Sequence, residues 1–271
     1  MKYKNLDMTK YTQLLLALLP LLLASITTQA QGELDAYQRK VYVQGNDTLP
    51  YRILYPKNFN PKQKYPLVLV LHGAGERGNN NESQLVYGAK RFLEEQEQYP
   101  AIVVFPQCPR DSYWSNVNIL PNAQGQRTFN FQAGGEPTPA MAALMGLLKE
   151  LRKSGNVDKD RVYLGGLSMG GMGTFELLRR QPRTFAAAFP ICGGGAPEAA
   201  RKYARKVESI WVFHGEDDGV VPVEHSRVMA GAIKRAGGNV KLTVYPGVNH
   251  NSWDYAFKEP ELLQWLFSQE K

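Results

Sequence analysis

The sequence predicts a single α/β domain, with a mainly parallel sheet of about eight strands and helices on both of its faces. The first observation is that short apolar runs alternate along the chain with amphipathic segments. This alternation is typical of β-α-β units. The second is size, because 271 residues, 43% of them hydrophobic, can bury one sizeable core. We expect this domain to occupy residues 31–271, after a leader at residues 1–30.

The elements follow one another in a regular order. Residues 40–43 and 51–55 predict an opening hairpin that turns near Asn46. Further strands are predicted at residues 67–71, 101–105, 162–164, 186–190, 210–213 and 241–245, and helices at residues 138–153, 169–180, 223–236 and 260–269. Parallel strands bring the loops at their carboxyl ends to one edge of the sheet, where ligands bind. The short connection between residues 191 and 210 leaves no room for a large lid, so an open site is expected.

A candidate nucleophile stands between a predicted strand and a predicted helix. Gly166, Ser168 and Gly170 form a G-x-S-x-G motif after the apolar run at residues 162–164. Only small flanking residues permit the sharp turn that such a junction requires, and the turn exposes the serine hydroxyl above the sheet. We interpret Ser168 as a nucleophile, with a plain glycine-rich connection as the alternative.

A nucleophilic serine needs a general base and an acid that orients the base. The chain has only four histidines, and in this arrangement the base follows the acid, which follows the serine. His250, in the loop after the last strand, fits this order best. The acid is expected after the preceding strand, where Asp218 is favoured because of its position in a turn, and Asp217 is the main rival.

These segments together resemble the α/β-hydrolase superfamily. The resemblance rests on Ser168 in its motif, on the sequence HGEDDGVVP at residues 214–222 and on GVNH at residues 247–250. LHGAGERG at residues 71–78 and FPQCP at residues 105–109 resemble the secreted esterase and "predicted peptidase" branch near dienelactone hydrolases, feruloyl esterases and polyhydroxybutyrate depolymerases. The resemblance extends from about residue 36 to the C-terminus. It implies the α/β-hydrolase fold, with Ser168 as nucleophile, Asp218 as acid and His250 as base.

An oxyanion hole is also expected, and the family places half of it after His72 and Gly73. Backbone amides stabilise the negative charge that develops on the carbonyl oxygen under attack. One amide is that of Met169, which follows the nucleophile. The second comes from Ala74, with Gly75 as the fallback. Gly75 is also a candidate substrate-binding residue, together with Trp114 in segment 108–137, the longest segment predicted without regular structure.

A glycine-rich motif raises a rival hypothesis. Residues 73–78 match the G-x-G-x-x-G fingerprint of dinucleotide-binding proteins, and acids at residues 94–95 have nearly the right spacing. The acids, however, precede the next strand, and the polar segment 79–83 is unlike a helix packed beneath a pyrophosphate. A nucleotide-dependent oxidoreductase is therefore a remote alternative, and no cofactor is expected.

The first residues resemble a secretory leader. Lysines at positions 2, 4 and 10 precede an apolar run at residues 14–26, and small residues before position 31 fit a cleavage site. The run is too short for a comfortable membrane span. We expect a periplasmic or secreted protein with no stable membrane insertion, and an uncleaved anchor is the alternative. Because export favours disulfides whereas the strand order separates Cys108 from Cys192, we expect two unpaired thiols.

The net charge of +7 is dispersed, with no basic run interleaved with aromatics, so nucleic-acid binding is not expected. No cluster has the spacing of metal ligands. The sequence therefore predicts a secreted serine hydrolase of carboxylic esters, acting on a small-molecule or polysaccharide-linked ester. A serine peptidase of the prolyl oligopeptidase type is the main alternative. A non-catalytic binding protein is disfavoured, because a binder does not need the whole Ser-His-Asp set.

Overall fold

The computed structural model describes residues 34–45, 47–125 and 127–271. The predicted leader at residues 1–30 and the hairpin turn at Asn46 lie outside the described residues. One compact unit comprises Tyr37–Lys271. Leu34–Ala36 form a single 3₁₀ turn.

A mixed sheet of eight strands lies at the centre of the unit, within the described part of the chain. Its strands are β1 (Gln38–Gln44), β2 (Asp47–Leu54), β3 (Tyr65–Leu71), β4 (Ile102–Pro106), β7 (Val157–Leu167), β8 (Ala187–Ile191), β9 (Ser209–Gly215) and β10 (Val240–Tyr245). Their order across the sheet is β1-β2-β4-β3-β7-β8-β9-β10. The β1–β2 and β2–β4 pairs are antiparallel, whereas every pair from β4 to β10 is parallel. The predicted opening hairpin and mainly parallel sheet are confirmed.

The central strands are mostly apolar because helices cover both faces of the sheet. Every residue of β3, β4, β8 and β9 is buried, as expected of parallel strands in such a layered fold. The helices are α1 (Ala89–Glu94), α2 (Pro139–Lys153), α3 (Met169–Arg180), α4 (Glu224–Arg235), α5 (Trp253–Ala256) and α6 (Leu262–Phe267). Within these described helices, none is long and apolar enough to cross a membrane.

Alternate residues of each strand belong to two different cores, because successive side chains point to opposite faces. On one face, Leu164 of β7 and Val212 of β9 join the main apolar cluster with Leu144 of α2 and Leu177 of α3. On the other face, aromatic rings contact each other edge to face. Those pairs are Phe92 with Phe105, Tyr163 with Phe267, Phe189 with Phe257 and Trp211 with Trp265.

Segment 108–137 is more regular than the sequence indicates. It contains a separate antiparallel hairpin of β5 (Val117–Pro121) and β6 (Arg127–Phe131). The prediction of a segment without regular structure is therefore wrong for these residues. A side-chain bond from Thr128 Oγ1 to the Leu120 carbonyl, at 2.8 Å, helps to hold the two strands together.

The strand order explains the state of the two cysteines. Cys108 follows β4 and Cys192 follows β8, and β3 and β7 lie between these strands. Both thiols are free and buried, so the expectation of two unpaired cysteines is confirmed. Burial raises the pKa of the Cys108 thiol to about 12, which makes this thiol a poor nucleophile.

Candidate active site

Ser168 occupies a strained turn between β7 and α3. Its φ of 53° and ψ of −116° are unusual for a residue other than glycine, and such strain costs about 1–3 kcal/mol. The backbone is tightly packed around it. A Cβ at Gly166 would lie 2.4 Å from the Gly170 carbonyl oxygen, and one at Gly170 would lie 2.0 Å from the Leu71 carbonyl oxygen. Glycine at both positions therefore permits the turn, which leaves the Ser168 side chain partly exposed.

The three side chains expected to act together lie in one hydrogen-bonded row. Ser168 Oγ is 2.9 Å from His250 Nε2. His250 Nδ1 is 2.7 Å from Asp218 Oδ2. An ionised carboxylate can only accept a hydrogen bond, so His250 donates to it from Nδ1. The unprotonated Nε2 of the neutral imidazole then presents its lone pair to the serine hydroxyl. A nucleophile, a general base and an orienting acid would require contacts of this kind.

Asp218 is held as an anion. Its Oδ1 accepts from the Val220 and Val221 amides, at 2.9 Å each. Burial alone would raise the pKa of this carboxyl, but hydrogen bonds from His214, His250 and the Val221 amide outweigh burial and hold the pKa well below its usual range. The rival Asp217 is exposed, and no bond from its carboxylate to His250 is present among the described residues.

Backbone contacts fix the loop that carries His250. Asn249 Oδ1 accepts from the amide of Gly219 at 3.1 Å and from the amide of His250 at 2.7 Å. These bonds connect the histidine loop to the aspartate turn. Trp253 packs edge-on against the imidazole, with ring centroids 5.3 Å apart. This contact helps to hold the loop that carries His250.

A cavity of about 270 Å³ lies beside Ser168 and His250. The turn at residues 73–76 forms one wall, and the other lining side chains include Tyr87, Tyr113, Ile119, Arg127, Phe129 and Trp253. Gly75, a candidate substrate-binding residue, lines the cavity. Trp114 is fully buried and packs against His72, so its expected place in a substrate pocket is corrected. Its neighbour Tyr113 lines the cavity instead.

Both candidate oxyanion donors begin a helical turn. Ala74 starts the 3₁₀ turn Ala74–Glu76, and Met169 is the first residue of α3. The first amides of a helix have no partner within it and are available to an anion. The turn at Ala74 is not followed directly by a helix, since α1 begins only at Ala89. This arrangement differs from the dinucleotide-binding fingerprint.

Two polar side chains of the site were not expected from the sequence. Glu76 lines the cavity. Burial raises the pKa of Glu76, although hydrogen bonds from its own amide and that of Gly73 oppose the increase. His214 contacts the Asp218 carboxylate, with Nε2 3.1 Å from Oδ2. The sequence feature that could have indicated this contact is the spacing of four residues between His214 and Asp218 at the end of an apolar run.

Comparisons with known proteins bear on the family and the fold. The family described as Phospholipase/Carboxylesterase matches residues 59–259. A solved structure described as a thermostable esterase superposes with a TM-score of 0.77 and 36% identity, covering 88% of this chain and 64% of that one.

Two curated proteins are also similar. The bifunctional acetylxylan esterase/xylanase XynS20E of Neocallimastix patriciarum is 30% identical over 166 residues, which are 61% of this chain and 21% of that protein. The "probable carboxylesterase SOBER1-like" of Arabidopsis thaliana is 24% identical over 194 residues, or 68% of this chain and 72% of that protein. The chain therefore spans only a small part of the bifunctional enzyme but most of the plant protein. By its fold and its sequence, this chain belongs to the phospholipase/carboxylesterase family of α/β-hydrolases.

Proposed function

We propose that this chain is a serine hydrolase of carboxylic esters, with Ser168 as nucleophile, His250 as general base and Asp218 as the acid that orients His250. The observation that carries the proposal is the unbroken row of hydrogen bonds from Ser168 Oγ through His250 to Asp218 Oδ2. Family membership supports the reaction class.

The reaction proceeds in two halves. Ser168 Oγ attacks the ester carbonyl carbon while its proton passes to His250 Nε2. The bond to the alcohol oxygen then breaks, and His250 returns the proton to the departing alcohol. Water, deprotonated by His250, attacks the carbonyl carbon of the resulting acyl-enzyme. The bond from that carbon to Ser168 Oγ then breaks, His250 returns the proton to Oγ, and the acid and free Ser168 are released.

The negative charge on the carbonyl oxygen is stabilised by the amides of Ala74 and Met169. Their position at the first residue of a helical turn supports this role, because such amides point out of the helix. Each donor is worth about 3 kcal/mol of transition-state stabilisation. Asp218 keeps His250 in the tautomer that presents Nε2 to the serine.

The substrate is a small-molecule ester or an ester carried on a polysaccharide. The cavity beside Ser168 has aromatic walls, and Tyr113 also borders a second groove of about 470 Å³. This groove is lined by hydrogen-bonding side chains, including Arg110, Asp111, Ser115 and Asn118. A hydroxyl-rich alcohol moiety can extend from Ser168 past Tyr113 into it. The leader predicted at residues 1–30 supports a periplasmic or secreted location, where such polymers are found.

The test is the variant Ser168→Ala, assayed on aryl acetate, butyrate and ferulate esters and on an aminoacyl-proline amide. We expect kcat on the preferred ester to fall by about 10⁴-fold or more, because members of such a triad act as a unit. A fluorophosphonate should label the wild type once, at Ser168. Ser154→Ala is the matched control, since Ser154 is exposed and its Oγ donates locally to the Leu151 carbonyl at 2.8 Å.

Activity of Ser168→Ala within tenfold of the wild type would overturn the assignment of the nucleophile. Faster hydrolysis of the aminoacyl-proline amide than of every ester would favour the peptidase instead.

A further inference from the structure

His214 lies next to the proposed triad but is not a member of it. It stands near the end of β9 with no exposed surface. Its Nε2 lies 2.8 Å from the Val221 carbonyl oxygen and 3.1 Å from Asp218 Oδ2. The oxygen that accepts from His250 therefore faces a second imidazole.

The surroundings of Nε2 determine where its proton is. The Val221 carbonyl can only accept a hydrogen bond, and so can the Asp218 carboxylate, which is held as an anion. An unprotonated Nε2 would place a lone pair against two acceptors. His214 Nε2 therefore carries a proton and donates it toward Val221 and Asp218.

The opposite edge of the ring is held as firmly. His214 Nδ1 is 2.6 Å from Ser226 Oγ on α4, and Ser226 Oγ is 3.2 Å from the Gly193 carbonyl oxygen. Ser226 is also fully buried. The ring is thus fixed between α4 and the aspartate turn, and it cannot flip without losing contacts at both nitrogens.

A core role alone does not require these contacts. A buried polar ring is costlier than an apolar side chain of the same size unless every polar atom is paired. Here Nε2 is paired with the Val221 carbonyl at 2.8 Å and also faces, at 3.1 Å, the carboxylate oxygen that orients His250. Two amides on Oδ1 and two imidazoles facing Oδ2 oppose rotation of the carboxylate away from His250.

We infer that His214 is a positioning residue, which holds the Asp218 carboxylate through Nε2–H in the orientation that aligns His250 with Ser168. This inference rests on the proposed function, because His214 acts through Asp218. Misplacing a catalytic group by about 1 Å can cost about 100-fold in rate. Loss of this positioning should lower kcat rather than raise KM, since His214 does not line the cavity that receives the substrate.

The test compares His214→Met with His214→Gln. Methionine provides an apolar side chain of similar length without the donor, whereas the glutamine amide can donate from near the position of Nε2. We expect kcat on an aryl ester to fall by about 10- to 100-fold in His214→Met, with KM changed less than twofold. His214→Gln should recover most of that loss.

A control separates positioning from stability. Thr243→Val removes the hydroxyl that accepts from Trp211 Nε1 at 2.9 Å, a contact in the same sheet that lies outside the site. It should lower the melting temperature without changing kcat. If His214→Met fails to fold, Ser226→Ala serves instead, because it removes the Nδ1 partner and leaves the imidazole; we then expect kcat to fall with KM unchanged.

Three results would overturn the inference: kcat of His214→Met within twofold of the wild type, glutamine as damaging as methionine, or an equal loss of kcat in Thr243→Val. If Ser226→Ala is used in its place, unchanged kcat would have the same meaning. Failure of the proposed function would be distinguishable, because Ser168→Ala would then retain activity whatever the behaviour of position 214.

Discussion

Asp217 and Asp218 are adjacent in the chain but differ in every physical respect that concerns His250. The Asp218 carboxylate is buried, accepts from two amides and bonds His250 Nδ1 at 2.7 Å. Asp217 is exposed, and its backbone amide donates to the Val248 carbonyl at 3.0 Å. The backbone turn between the two residues, and not their chemistry, separates the roles proposed for them.

The matched pair Asp218→Asn and Asp217→Asn tests this difference. We expect kcat of Asp218→Asn to fall by about 10⁴-fold, because an amide that donates toward Nδ1 favours the wrong tautomer of His250. Asp217→Asn should stay within about threefold, as surface changes usually do. Steady-state kinetics on one aryl ester measure both. Equal losses, or a larger loss at position 217, would contradict the assignment.

At the scale of the elements, the β5–β6 hairpin forms part of the wall of the cavity beside Ser168. It brings Ile119, Arg127 and Phe129 to the cavity wall. Phe131 anchors it, with its ring edge-on to His225 at 5.4 Å between centroids. A Cβ at Gly194 would lie only 2.8 Å from that ring, so the anchor depends on the absence of a side chain there.

Phe129→Ala tests the contribution of the hairpin to specificity. We expect kcat/KM for an aromatic acyl ester to fall about tenfold relative to that for an acetyl ester, because one apolar contact is worth roughly 1–3 kcal/mol of discrimination. Leu120→Ala is the control on the same hairpin, since Leu120 is 62% exposed. An unchanged ratio of the two kcat/KM values in Phe129→Ala, or an equal change in Leu120→Ala, would show that this wall does not select the acyl group.

The elements differ in how well the sequence predicts them, and burial is the reason. Strands β3, β4 and β9 are buried on both faces, so they read as apolar runs with clear limits. The residues of β5 and β6 are exposed or half-buried, and their mixed composition gives no period. The residues of the site also differ in how well the sequence predicts them. The order of Ser168, Asp218 and His250 follows from motifs, whereas the contact of His214 with Asp218 depends on a turn whose path no local pattern specifies.

At the scale of the whole molecule, the sheet order controls which distant residues can meet. His72 follows β3 and Cys108 follows β4, and these strands are parallel neighbours. The two residues therefore emerge side by side, and His72 Nε2 accepts from the Cys108 amide at 2.9 Å. On its other side, His72 Nδ1 donates to the Gly73 carbonyl at 2.6 Å. The imidazole thus joins the ends of two central strands in its neutral form.

This contact makes the stability of the fold depend on pH. Burial lowers the pKa of His72 to about 4, whereas an unfolded histidine titrates near about 6.5. Between these values the unfolded chain binds the extra proton, so the free energy of unfolding decreases as pH falls from about 6.5 to about 4. Asp218 acts in a lower window. Its depressed pKa contributes stability that is lost only below about 3.9, where the unfolded aspartate becomes protonated.

Urea unfolding at pH 7, 5.5 and 4.5 measures the effect of His72. A shift of this size corresponds to a loss of up to about 3 kcal/mol across the window. His72→Gln, whose amide oxygen can accept from the Cys108 amide without titrating, should remove most of the pH dependence. Burial lowers the pKa of His225 too, so His225 also reduces the free energy of unfolding as pH falls. His225→Gln is therefore measured in parallel, and the pH dependence due to His225 is subtracted. If the free energy of unfolding of His72→Gln depends on pH as strongly as that of the wild type, other groups take up the proton on unfolding. The junction of β3 with β4 would then tolerate a charged imidazole.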